Sequence, residues 1–207
     1  MLNTVAAAAL ALASIIPSNS VEASDDVPDY ITIDVVTVNG SGCPAGTAAV
    51  ASADDRTAFT VTYSDYLAQA GAGTSPTDFR KNCQLNIRVS YPQGFTYGIA
   101  QADYRGFAHL QHGATGTEKG NYYFSGSSQT ASRTHNFYGP HSDNWQATDK
   151  SEVSAIVYAP CGERRNLNIN TELRVNTGGS KNATSFMTMD STDSSVSTKY
   201  HFSWKRC

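Results

Sequence analysis

Residues 95–111 read Phe95-Thr96-Tyr97-Gly98-Ile99-Ala100-Gln101-Ala102-Asp103-Tyr104-Arg105-Gly106-Phe107-Ala108-His109-Leu110-Gln111. Even positions carry Gly98, Ala100, Ala102, Tyr104, Gly106, Ala108 and Leu110; odd positions carry Phe95, Tyr97, Ile99, Gln101, Asp103, Arg105, Phe107 and His109. Successive side chains on a strand point to opposite faces, so a mostly small face backs a polar and aromatic one. The small face is expected to pack closely on a second sheet. A strand this long bends or bulges, and Gly98 and Gly106 are the expected places.

The same period of two recurs on either side. Ile31, Ile33 and Val35 alternate with Thr32 and Asp34 before the turn Asn39-Gly40. Thr57–Tyr63 and Leu85–Tyr91 repeat the pattern, and Tyr122–Ser125, Val153–Tyr158, Leu167–Val175 and Thr198–Trp204 read as further strands. Turn formers separate them at Pro92-Gln93-Gly94, Gly113, Gly120, Gly139-Pro140 and Gly178-Gly179. Ser64–Ala72 is the one stretch with helical character, and Ser180–Thr198 reads as a loop or weak edge hairpin. Short strands with regular turns predict an all-β fold, an antiparallel, jelly-roll-like β-sandwich.

Before all of this lies an apolar run, Val5 to Ala13, followed by Pro17 and by Val21-Glu22-Ala23. That is the pattern of a secretory signal peptide over residues 1–23, too short for the roughly 20 residues of a membrane span. Removing 23 of the 207 residues leaves 184, the size of one domain, 24–207. With 11 Tyr, 8 Phe and 2 Trp it can bury a substantial core. Secretion places Cys43, Cys83, Cys161 and Cys207 where disulfides persist. Four cysteines allow three pairings. Cys43–Cys83 with Cys161–Cys207 is preferred because each then closes one half of the chain. Zinc ligation needs clustered cysteines, and these are at least 40 residues apart. Asn39-Gly40-Ser41 and Asn182-Ala183-Thr184 fit the glycosylation sequon at Asn39 and Asn182.

An ordered set stands out in the middle of the chain: Cys83-Gln84-Leu85, Pro92-x-Gly94-Phe95, Arg105-Gly106 and Leu110. Together with the leader, the length and the terminal Cys207, it resembles a secreted four-cysteine family of fungi and bacteria, domain of unknown function 4360. The resemblance implies a compact secreted domain and transfers no catalytic residue.

Charge and motifs narrow the chemistry. The net charge is -3, and the only adjacent basic residues are the pairs Arg80-Lys81, Arg164-Arg165 and Lys205-Arg206. Without a basic stripe to neutralise phosphates, nucleic acid is not an expected partner, nor is a membrane once the leader is gone. His109 with His112, and His135 with His141, lack the further ligands a metal needs, so no metal or cofactor is expected. Cleavage after Ala23 would leave Ser24 first, whereas secreted copper oxygenases begin with histidine. No G-x-S-x-G elbow occurs. Gly71-Ala72-Gly73-Thr74-Ser75 lacks the lysine of a phosphate loop. Asp103, Asp143, Asp149, Glu152 and Glu163 could supply a glycosidase pair, but no spacing selects one. The odd face of the long strand, Tyr97, Gln101, Asp103, Arg105 and Phe107, has what a sugar site uses: rings for C–H faces, planar polar groups for hydroxyls. The competing reading packs Tyr97, Ile99 and Phe107 into a core, with Asp103–Arg105 as an ion pair at its edge. The expected function is non-catalytic binding of a glycan, a wall surface or an extracellular protein. A polysaccharide hydrolase and an inhibitor or effector are the alternatives.

Overall fold

The computed structural model describes residues 27–152, 155–189 and 197–207. Their strands are β1 (Thr32–Asn39), β2 (Ala48–Ser52), β3 (Ala58–Tyr63), β4 (Leu67–Ala70), β5 (Arg80–Ser90) and β6 (Phe95–Leu110). They continue as β7 (Thr115–Phe124), β8 (Thr130–Tyr138), β9 (His141–Lys150), β10 (Leu167–Asn176), β11 (Ser185–Thr188) and β12 (Thr198–Arg206). One sheet runs β1-β5-β10-β7-β8; the other runs β2-β3-β12-β6-β11-β4, with β9 on the free side of β6. Every pairing is antiparallel, so the chain is an antiparallel β-sandwich.

Alternation builds the core. From the first sheet Leu85 and Ile87 of β5, Tyr122 and Phe124 of β7, and Leu167, Ile169 and Leu173 of β10 point inward. From the second come Phe59, Val61, Tyr104, Leu110, Met187 and Tyr200. The aliphatic, Met and Phe side chains among them each contribute about 1.5–3 kcal/mol on full burial. Polar partners such as Asn86 and Asn168 take the other face of the first sheet, joined to each other at 2.7 Å.

The long strand does have two faces, but they exchange sides once. Opposite β12, His201 pairs with Gln101 and Phe202 with Ile99, so Ala100 is the extra residue of a bulge. One inserted residue reverses the parity of everything before it. Ala102, Tyr104, Gly106, Ala108 and Leu110 therefore point inward on one side of the bulge, and Tyr97 points inward on the other. The bulge falls at neither expected glycine. Gly106 is small for a different reason: a Cβ there would run into the Thr188 carbonyl and lie 2.8 Å from the Trp145 ring. Gly98 packs against Ile156 and Val157.

Other expectations change too. Ser64–Ala72 is not helical: β4 pairs with β11 there, and Tyr66 is buried with its hydroxyl 3.1 Å from that of Thr171. Weak helix propensity gives way to edge pairing and burial. The start of the expected strand Val153–Tyr158 lies outside the described residues, as does the leader 1–23; Tyr158 makes one bridge to Gly98. Within Ser180–Thr198, residues 190–196 lie outside the described residues, and β11 precedes them.

Both disulfides take the preferred pairing, Cys43–Cys83 at 5.3 Å and Cys161–Cys207 at 5.7 Å between Cα atoms. The first ties the turn after β1 to β5; the second ties the approach to β10 to the end of β12. Loops of 40 and 46 residues make each worth about 3–4 kcal/mol in the chain-entropy account. Asn39 and Asn182 are both exposed.

Candidate functional site

Beyond the bulge, the odd residues of β6 face outward and gather cross-strand neighbours. Gln101 lies between Lys150 and His201, Asp103 between Thr148 and Lys199, and Arg105 beside Gln146. Phe107 lies beside Asn144, and His109 between Ser142 and Phe186. Tyr97 is not among them. It is 0 % exposed, and Tyr91, Phe124, Phe202 and Trp204 surround its ring at 5.3–5.6 Å. The bulge has moved it from the expected surface into the core.

At one end of the face Asp103 is a hub. Its carboxylate accepts from Thr148 Oγ1 at 2.7 Å, from Gln101 Nε2 at 2.9 and 3.0 Å, and from His201 Nε2 at 2.9 Å. Partial burial works to raise its pKa, but these three donors outweigh it and hold the carboxyl below its usual range. The expected Asp103–Arg105 pair does not form. Arg105 is exposed and has no partner among the described residues. At the other end Phe186 lies 5.9 Å from the Phe107 ring and 5.6 Å from His109, at angles of 30° and 32°. His109 is held at both nitrogens, by Ser142 Oγ at 3.0 Å and the Gln111 amide at 2.9 Å. The face thus combines two partly exposed rings, a fixed imidazole and a pre-ordered carboxylate.

Phe186, His201, Thr148, Gln146 and Asn144 were not expected here. The signal for three of them is legible in hindsight. In Ser142-Asp143-Asn144-Trp145-Gln146-Ala147-Thr148 the even residues are polar, while Trp145 and Ala147 are inward and buried.

A second polar cluster lies inside the sandwich. Asp149, 6 % exposed, accepts from Tyr122 Oη at 2.8 Å and His135 Nε2 at 2.6 Å, with Tyr104 Oη at 3.5 Å. Glu118 is 0 % exposed, and neither carboxylate oxygen has a hydrogen-bond partner among the described residues. Burial, and then the neighbouring Asp149, push its pKa well above the carboxylate range. Glu118 has a signal in the sequence, since it shares parity with inward Tyr122 and Phe124. A raised acid beside a second carboxylate is a pattern seen in glycosidases, but Glu118 is sealed from any polymer. Of the other carboxylates considered, Asp143 on β9 and Glu163 in the segment before β10 are both exposed.

Residues 29–207 match the family described as domain of unknown function 4360 (DUF4360). The chain belongs to this family. An uncharacterized secreted protein of Arthroderma benhamiae is 40% identical over 180 residues, covering 87% of this chain and 73% of the relative. The DUF4360 chain is likewise secreted. Among solved structures, a chain of the Cowpea Mosaic Virus empty virus-like particle aligns over 86% of this chain and 84% of its own, at 11% identity and a TM-score of 0.23.

Proposed function

We propose that this secreted protein binds an extracellular or cell-wall glycan, without chemistry, on the outward face of β6. The observation that supports the reading is the uninterrupted outward row from Gln101 to His109, framed by polar partners on β9 and β12. At about 3.3 Å per residue the row is about 26 Å long, room for several linked sugars. Phe107, His109 and Phe186 offer flat faces for C–H stacking; Gln101, Asp103, Arg105 and Gln146 offer donors and acceptors for hydroxyls. Asp103 already sits in a fixed network, which lowers the ordering cost of binding.

Retention on insoluble polysaccharides tests the reading. The intact protein should be retained on at least one wall polymer. Phe107→Ala and Phe186→Ala should each weaken retention with little change in thermal midpoint. Equal retention of all three proteins would remove the face from consideration. Sedimentation with protein ligands but no glycan would favour an interaction protein instead.

A further inference from the structure

The outward face leaves one feature of the sequence unused: the basic pairs Arg164-Arg165 and Lys205-Arg206. They stand 40 residues apart in the chain, yet Cys161–Cys207 brings their segments to one end of the sandwich. Between these segments and the turn 92–94 lies a cavity of about 390 Å³, within the usual size of small-ligand sites. Tyr91 and Phe95 line its apolar part; Gln93, Gly162, Glu163 and Arg164 form its polar part. The rim is fixed on both sides. The disulfide holds Gly162–Arg164 next to the chain end, and the Cys207 N–H donates to the Gly94 carbonyl at 2.9 Å.

Charge on this rim is uneven. Glu163 is engaged by Arg165 at 2.6 Å. Arg206 lies over the Phe95 ring, 4.5 Å from its centre. Arg164 is exposed and has no hydrogen-bond or ion-pair partner among the described residues. Its guanidinium is close enough to act on buried Tyr91: burial raises that phenol's pKa, and Arg164 draws it partly back. An uncommitted guanidinium beside an aromatic wall invites a carboxylate carried on a ring. The Gln93 amide and Glu163 carboxylate at the rim suit hydroxyls better than a bare hydrocarbon edge.

We propose that this end cavity is a second ligand site, taking an acidic sugar: a uronate ring whose carboxylate meets Arg164 and whose apolar face lies toward Phe95. It is separate from the outward face of β6 and does not depend on the reading given to that face.

Calorimetric titration of the secreted protein with a galacturonate trimer, a neutral glucose trimer and benzoate tests it. The galacturonate trimer should bind, more weakly as salt rises, and the other two should not bind comparably. Arg164→Ala should weaken galacturonate binding about tenfold or more, as expected for loss of a charge-assisted hydrogen bond, and Arg164→Glu should weaken it further. Both substitutions are at an exposed position and should leave the thermal midpoint in place. Retention on an insoluble neutral polysaccharide should be the same for Arg164→Ala as for the unaltered protein, so the two sites can fail separately. Equal affinity for the neutral trimer, equal or tighter binding of benzoate, or full affinity in Arg164→Glu would each overturn the assignment.

Discussion

Glu118 and Asp103 are both carboxylic acids on central strands of the sandwich, and the fold treats them in opposite ways. Glu118 points inward, is 0 % exposed, has no hydrogen-bond partner among the described residues, and shares its space with Asp149. Asp103 points outward and is surrounded by Thr148, Gln101 and His201 as donors. Desolvation dominates in the first place and makes the proton stay; donors dominate in the second and make it leave. The inner cluster is shielded from ligands and costs stability. The outer one is ordered yet open, which is the condition for recognition without chemistry.

The sharpest way to break this contrast is to remove a ring from each region. Tyr97→Ala takes away a fully buried ring and should cost about 3–5 kcal/mol, visible as a large fall in the denaturation midpoint. Phe107→Ala, from the outward face, should cost far less and act on retention by glycan. Similar midpoints for the two variants would mean that the bulge at Ala100 does not separate core from surface.

Next in size is Ala102→Leu. Ala102 is 0 % exposed and is the first inward residue after the bulge. Overpacking there should cost about 1–3 kcal/mol. A midpoint equal to that of the unaltered protein in urea titration would place this face in solvent and reverse the assignment of the two regions.

Glu118→Gln sharpens the comparison through pH. The folded protein keeps a proton on Glu118 at pH values where the unfolded chain, near its ordinary value of 4.5, has lost it. The unfolded state then binds fewer protons, so stability declines as pH rises from about that value toward the higher folded pKa. The amide has no proton to lose. Unfolding measured from pH 4 to pH 8 should therefore show a decline in the unaltered protein that is reduced in Glu118→Gln. Parallel curves would mean that Glu118 ionises freely in the folded state.

Much of this contrast was legible in the sequence, and the rest has identifiable causes. Alternation in Leu85–Tyr91 and Leu167–Val175 marks their strands directly, because each buries one face on the opposing sheet. Alternation in residues 95–111 assigns Ala102 to Leu110 correctly and misplaces Tyr97, since a single bulged residue at Ala100 leaves no mark in a run of small side chains. β8 and β9 lie at sheet edges and escape; on β8, exposed Arg133 and partly exposed His135 interrupt the inward row between Ala131 and Phe137. Of the three donors to Asp103, Gln101 is two residues away on the same strand face, but Thr148 and His201 are 45 and 98 residues away. Only the register of three strands brings them together, and no local pattern encodes that register.

The smallest expected effect tests the outer region alone. Asp103 has a lowered pKa in the folded state, so its contribution is present above the unfolded value near 3.8. It is lost as pH falls through the lower folded value. Asp103→Asn removes this loss on the acid side. At neutral pH it should reduce stability by under about 1 kcal/mol, the scale of a partly exposed ion pair. Its effect on glycan retention should be larger than this suggests, because the amide can no longer accept from Thr148, Gln101 and His201 as a charged hub and the face loses its pre-set order. A midpoint loss approaching that of Tyr97→Ala, with retention unchanged, would make Asp103 a tie between β6, β9 and β12 and nothing more. Retention that falls while the midpoint holds would separate what orders this face from what holds the sandwich together.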